Sequence, residues 1–479
     1  MRNDNLGENK IMDMERIKRI QDMDFSAEGV KEEILNLLEI LCGAIIELQK
    51  ENQELKDEVM RLKGEKGKPD IKPGKKPDTE NSSESDKDKM DKDEKKAWKK
   101  GKKRDKIRID RVETVKLDKT GLPEDLEFKG YEERVIQNII IRTDNVLYRL
   151  EKYYSRSEGK TYIAKMEECL QNTEFGPEIK ALIVALYYEN RVTENKIASF
   201  LNANGLYISE GTISNILIKD KSKELTQEKQ EIFNAGLRSE IYQQIDDTGM
   251  RIAGKNGYAT IVCNENYAAF FINDRKNRET IKTILGLEEV LLFLILVCDD
   301  APQFKTIAKV LALCWIHEER HYKKLKPIFE CHRKELERIR GEIWEYYKKL
   351  IEYKANPTEE EAKRLSLSFD ELFSQKTGYE ELDKRLGLTL AKKDALLVVL
   401  KYPEIPLHNN LSENGVREIV IKRKISGGVE TEEGKTALEN YMTILATCKK
   451  QEVSFYNYIL NIFAEVKQAT PLSQLILQN

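Results

Sequence analysis

At 479 residues, with 34% charged and only 8% aromatic side chains, the chain is too long for one hydrophobic core and reads as three or four units with well-solvated helical surfaces. A net charge of -3 excludes a protein that coats nucleic acid through a uniformly basic surface, and the longest apolar run, Val290–Cys298, is far too short to span a membrane. Seven cysteines without a Cys-x-x-Cys pair, and an N-terminus without an apolar signal core, give the expectation of a soluble, cytoplasmic protein with free thiols.

After a tail over 1–27, residues 28–63 carry the clearest periodicity. Ile34, Leu41, Leu48, Leu55 and Leu62 recur every seven residues, with Leu38, Ile45, Asn52 and Val59 four after each of the first four. Leucine at d and a single polar Asn at a favour a parallel two-stranded coiled coil and fix its register, so the expected partner is a second copy, as a homodimer or higher oligomer. Residues 64–108 read as a disordered linker. Its part from 64 to 94 has no apolar period, and residues 95–108 are a basic arm with Trp98 available to stack on bases.

Residues 109–176 form a small β-containing region, in which Arg134–Thr143 and Asn145–Tyr154 are expected to pair as strands. A helical region spans 177–236. Thr193–Gly205 reads as a helix stopped by its glycine, and Ser209 can cap a second helix through Ile213, Ile216 and Leu217. Two short helices around a Gly-containing turn suggest a helix-turn-helix, with Thr212, Ser214, Asn215 and Lys219 placed to touch DNA.

From 237 to 321 the pattern alternates: strands at Glu240–Ile252, Tyr258–Cys263 and Tyr267–Asn273, a helix at Asn277–Leu287, an apolar strand at Val290–Cys298, a helix at Ala301–Val310 and a strand at Leu311–Ile316. That order is the first part of an α/β core of ribonuclease-H-like type. A helical insertion follows over 322–402, and 403–479 completes the core with C-terminal helices.

Three acids stand out by position. Asp246 or its neighbour Asp247 lies on the first strand after an apolar run, Asp299 or Asp300 ends the fourth, and Glu413 begins a helix after the insertion. Carboxylates from separate elements can hold two divalent cations, Mg²⁺ or Mn²⁺, about 4 Å apart for phosphodiester chemistry. Successive strand residues point to opposite faces, so one member of each doublet can enter such a site, and either could. A rival motif is His317-Glu-Glu-Arg-His321, which on a helix would bind zinc with Glu318 as the base of a metalloprotease. Cys314, His317, His321 and His332 could also form a structural zinc site. The plainer reading places His317 and Arg320 in the cleft, against phosphate.

The residues resemble bacterial transposases of the insertion-sequence 66 family, and the likeness covers most of the chain. It is carried by Ile208-Ser-Glu-Gly-Thr-Ile-Ser, Asp246-Asp-Thr, Cys314-Trp-Ile-His and above all Pro406-Leu-His-Asn-Asn-Leu-Ser-Glu413 with Arg417 four residues on. The resemblance implies an Asp-Asp-Glu triad of Asp246, Asp299 and Glu413, the first Asp of each doublet. It also implies Arg417, Arg423 and Lys424 as DNA contacts. Double-stranded DNA, as terminal inverted repeats and target, is then the partner, with small accessory proteins beside it and association with the nucleoid. Metal-dependent nicking and strand transfer is the implied activity. A catalytically silent DNA-binding derivative is the alternative. The chain departs from the family in lacking a cysteine zinc segment, in Asp247 where Glu is usual, and in Asn414 where Arg commonly follows the third acid.

Overall fold

The computed structural model describes residues 30–62, 108–118, 120, 130–171, 173–286, 295–305, 307–466 and 468–478. The N-terminal tail, the 64–94 linker, nearly all of the basic arm including Trp98, and the start of the Val290–Cys298 run lie outside them.

Residues 68–145 form a unit of their own, and its described residues carry neither helix nor strand. The pairing expected for Arg134–Thr143 is therefore not formed. Ile136, Ile139 and Ile140 are exposed, so the alternating pattern there has no apolar surface within this unit on which to bury a face. In the other unit only the end of the second expected strand is extended: β1 (Lys152–Ser155) pairs antiparallel with β2 (Lys160–Ile163). Gly159 supplies the positive φ in the turn between them.

This larger unit begins with helix α1 (Val30–Leu62). Later come α2 (Pro177–Val184), α3 (Glu194–Ala203), α4 (Glu210–Ile218) and α5 (Ser222–Ser239). Gly205, at φ 85°, follows α3, and the Ser209 side chain accepts from Thr212 N–H to cap α4, as its position suggests.

A five-stranded sheet forms the centre. Strands β3 (Tyr242–Ile252), β4 (Lys255–Cys263) and β5 (Ala268–Asn273) run antiparallel; after α6 (Arg278–Leu285), β6 (Ile295–Cys298) and β7 (Val310–Leu313) add in parallel. The spatial order β5-β4-β3-β6-β7 is compatible with a ribonuclease-H-like core. Two expectations fail here. Ala301–Val310 holds only a 3-10 turn at Pro302–Phe304, because Pro disfavours helical backbone before it and Lys305 is already extended. The last strand stops at Leu313, and α7 (Trp315–Lys323) begins two residues later.

Helices α8 (Glu330–Ala355), α9 (Glu359–Phe373), α10 (Glu380–Leu390) and the short α11 (Lys393–Leu396) follow. Trp315 anchors them, packed among Tyr346, Tyr347, Phe369 and Phe373, with its indole N–H donating to Leu396 O at 2.9 Å. The chain ends with α12 (Asn410–Ser426), α13 (Glu432–Lys450), α14 (Phe455–Phe463) and α15 (Leu472–Gln478). Among the described residues no helix is long and apolar enough to cross a membrane.

Edge strand β5 would leave a row of backbone N–H groups unpaired. Helix α13 meets them with side chains one turn apart: Glu439 accepts from Ile272 N–H at 2.7 Å, Thr443 from Phe270 N–H at 3.0 Å and Thr447 from Ala268 N–H at 3.4 Å. Thr443 is fully buried, so Thr443→Val keeps the shape but strands a buried donor. A loss of about 1–3 kcal/mol is expected, with Thr443→Ser near wild type. Thermal melts of the two variants check this, and equal melting of both would contradict the edge cap.

Candidate functional site

Strands β3 and β6 pair in parallel through Gln244 and Val297. Two residues further along, Asp246 lies within β3 and Asp299 follows directly after the end of β6. Burial raises the Asp246 carboxyl to about 7, and the negative charges of Asp299, Asp247 and Glu413 add to that rise against an opposing bond from Asp247 N–H. The three acids expected from three distant segments thus share one electrostatic site.

The second member of each doublet faces other partners. Asp247 takes Lys276 Nζ at 2.5 Å and Gln303 Nε2 at 2.7 Å. Asp300 takes Lys392 Nζ at 2.6 Å and Lys305 Nζ at 3.0 Å. Burial alone would raise the Asp300 carboxyl, but the two lysines outweigh it and hold it below the usual range. Asp246 and Asp299 instead accept from the backbone just after them, Asp247 N–H at 2.8 Å and Ala301 N–H at 3.1 Å.

Glu413 lies in the first turn of α12, which packs on β3 and β4. Its placement depends on Gln244, a fully buried residue that the sequence reading passed over. The Gln244 amide oxygen accepts from Leu411 N–H at 3.0 Å and Ser412 N–H at 3.4 Å, which caps α12 onto β3. Gln244 and Asp246 are two apart on one strand and share a face, so the cap sits beside the acid.

Helix α7 closes the site from the side. Trp315 N–H donates to Leu407 O at 3.0 Å, which ties the start of α7 to the segment leading into α12. Arg320 Nη2 then lies 3.3 Å from Glu413 Oε2, and His317 Nδ1 lies 3.7 Å from Glu413 Oε1. Arg320 Nη1 also meets His317 Nε2 at 3.0 Å. Burial, with help from the Arg320 charge, holds the His317 imidazole below its usual pKa. Glu413 Oε1 and His317 Nδ1 are buried without a hydrogen-bond partner.

Cys314, fully buried just before α7, receives the backbone N–H groups of His317 and Asn409, yet burial pushes its thiol up to about 11. His317-Glu-Glu-Arg-His321 is helical, but Glu318 is spent on Arg385, on Lys392 at 3.1 Å and on Thr389 at 2.6 Å, which leaves no free carboxylate for a protease base. Nor does His321 join His317: the residues able to share an ion are Cys314, His317 and Glu413, among those described.

The expected DNA contacts scatter. Asn215 and Lys219 are exposed on α4, while Thr212 bonds Ser209 and Ser214 bonds Glu194. Arg417 is exposed and meets Asn414 at 3.3 Å; Lys424 is exposed; Arg423 hydrogen-bonds Gly249 O.

A carboxyl whose folded pKa lies above its unfolded value keeps a proton that the unfolded chain has lost, so its contribution to stability falls as pH rises from about 4 to about 7. Asp246→Asn cannot ionise, so without divalent cations it is expected to melt above wild type at about pH 8, with the gain vanishing near pH 4. The linkage is worth roughly 4 kcal/mol at most. Melting curves across that range check it; a gain independent of pH would contradict the crowding of acids.

Among known proteins, an uncharacterized protein of Sinorhizobium fredii, y4jO, is 41% identical over 165 residues, which is 34% of this chain. The chain spans about half, 51%, of the length of that curated relative. Residues 172–437 match the transposase IS66 family, a span that holds all three acids, the capping Gln244 and α7. Since that match takes in more than half of its residues, the chain belongs to the transposase IS66 family.

Proposed function

We propose that this chain is a metal-dependent DNA transposase that nicks the ends of an insertion sequence and transfers the freed 3′ ends to target DNA. The observation that carries the reading is the placement of Asp246 on β3 and of Asp299 just past the end of its parallel neighbour β6, with Glu413 close enough to raise the Asp246 carboxyl. The donor set fits a hard divalent cation: three carboxylates, an excess of negative charge, and a buried Glu413 oxygen with no hydrogen-bond partner. Asp246, Asp299 and Glu413 would hold two Mg²⁺ or Mn²⁺ ions, whose chemistry is to ease deprotonation of the attacking water or 3′-hydroxyl and to neutralise the leaving oxygen.

The chain's own groups supply the rest. Lys276 and Gln303 occupy Asp247, and Lys305 and Lys392 occupy Asp300, which leaves the first acid of each doublet for ligation. Arg320 and His317 stand beside Glu413, where an incoming phosphate can draw the guanidinium away. Arg417, on the exposed face of α12 one turn beyond Glu413, is suited to the next phosphate, with Arg423 and Lys424 further along. Asn215 and Lys219 on α4 would read the terminal repeats as part of a helix-turn-helix, aided by the basic arm.

Helix α1 would pair two protomers. Asn36 and Glu39, outward-facing in the heptad, dock it on the insertion: Asn36 donates to Gly378 O at 2.9 Å, and Glu39 accepts from Phe329 N–H at 3.2 Å. Ile45, Leu48 and Leu55 of the a/d seam stay exposed, available to a second copy. Small accessory proteins would act on the same assembly.

With a terminal-repeat duplex and Mg²⁺, wild type is expected to nick at the repeat end. Glu413→Gln should lower that rate on the order of 10²-fold or more at unchanged duplex affinity. Undiminished nicking by the variant would overturn the assignment, and no nicking by wild type would favour a silent DNA-binding protein. Separately, the double variant Leu48→Asp, Leu55→Asp is expected to sediment as a monomer where wild type sediments as a dimer or larger; equal masses would remove the coiled coil.

A further inference from the structure

Cys314, His317 and Glu413 present one donor atom each, a sulfur, a ring nitrogen and a carboxylate oxygen, all within 4.8 Å of one another. Tetrahedral ligation by zinc separates donors by roughly 3.5 Å, so small side-chain rotations would close the three on one ion. Cys314 is the N-cap residue just before α7, His317 lies in the first turn of α7, and Glu413 in the first turn of α12. The bond from Trp315 N–H to Leu407 O fixes these two helix starts together, so the triad is set by backbone as well as by side chains. Two donors, His317 Nδ1 and Glu413 Oε1, are buried and have no hydrogen-bond partner.

We propose that Cys314, His317 and Glu413 form a binding site for a thiophilic divalent cation of the zinc class, and that such an ion competes with Mg²⁺ for Glu413. One sulfur, one nitrogen and one oxygen with a fourth position open is a zinc-type set, whereas Mg²⁺ demands oxygen donors and rejects a thiol. Binding exchanges the Cys314 S–H bond for a sulfur–metal bond, and the proton leaves to solvent. The backbone N–H groups of His317 and Asn409 point at the sulfur and offset part of the burial that raises its pKa.

Arg320 lies against the other atoms of two of these ligands, His317 Nε2 and Glu413 Oε2, so its charge stands beside the cation's place. That positive charge opposes an arriving ion, so Arg320 raises the threshold for binding. The competition rests on the reading of Glu413 as a catalytic ligand; the binding site itself does not.

Cobalt(II) titrated into the purified full chain without Mg²⁺ is the probe, because a thiolate–cobalt charge-transfer band reports sulfur ligation directly. A band saturating at one ion per chain is expected in wild type and in Asp246→Asn. It should be lost in Cys314→Ser and in His317→Ala, kept in Cys331→Ser, and reached at lower cobalt in Arg320→Ala. No band in wild type, or a band that survives Cys314→Ser, overturns the site; should Cys314→Ser not fold, His317→Ala decides alone by the same criterion. Where wild type nicks DNA, zinc should inhibit it and Cys314→Ser should resist; equal inhibition of both overturns the competition. Absence of nicking with the band present overturns the transposase mechanism and leaves the metal site standing.

Discussion

Crowding carboxylates along β3 and just past the end of its parallel neighbour β6 is the constraint on which the rest of this structure depends. A buried Asp246 beside Asp299 and Glu413 meets desolvation and repulsion at once. Gln244 fastens α12 to β3 from inside the sheet, and the Trp315–Leu407 bond fastens α7 to the same helix start. Neither contact offsets the charge. Both determine where it sits, because they fix the strand and the helix starts that carry the acids.

Nearby cations are distributed so as to spare the first acid of each doublet. Lys276 goes to Asp247, Lys305 and Lys392 go to Asp300, and Lys392 also reaches Glu318. Lys392 thereby ties the end of the helical insertion to the end of β6 and to α7 through one side chain. The insertion is therefore electrically joined to the site, and a change at Lys392 would be felt by Asp300 and Glu318 together.

The elements that were legible in the sequence are those whose pattern is local. The apolar runs of β3, β4 and β6, the stop at Gly205 and the cap at Ser209 each depend on neighbours a few residues away. What was not legible depends on distance along the chain. Lys276, Gln303 and Lys392 distinguish the members of the aspartate doublets, and nothing near Asp246 or Asp299 in sequence announces them. Gln244 looked like an ordinary polar residue in a strand until α12, more than 160 residues later, supplied the N–H groups it accepts. The helix expected over Ala301–Val310 failed for a local reason given too little weight, the proline at its second position. The pair expected at Arg134–Thr143 failed because alternation describes a face without supplying the surface that buries it.

The His-Glu-Glu-Arg-His segment shows how one helix can carry three chemistries at once. Glu318 faces the insertion and is neutralised there by Arg385 and Lys392; Glu319, also buried, pairs with Arg340 of α8 at 2.6 Å; His317 and Arg320, on another face, look at Glu413. A zinc protease would need a free Glu318 beside His317 and His321, and Glu318 is occupied by Arg385, Lys392 and Thr389. The arginine that interrupts the motif is the residue that reaches the third acid. Arg320 lies against both Glu413 Oε2 and His317 Nε2, so the positive charge that faces the third acid comes from inside the motif itself.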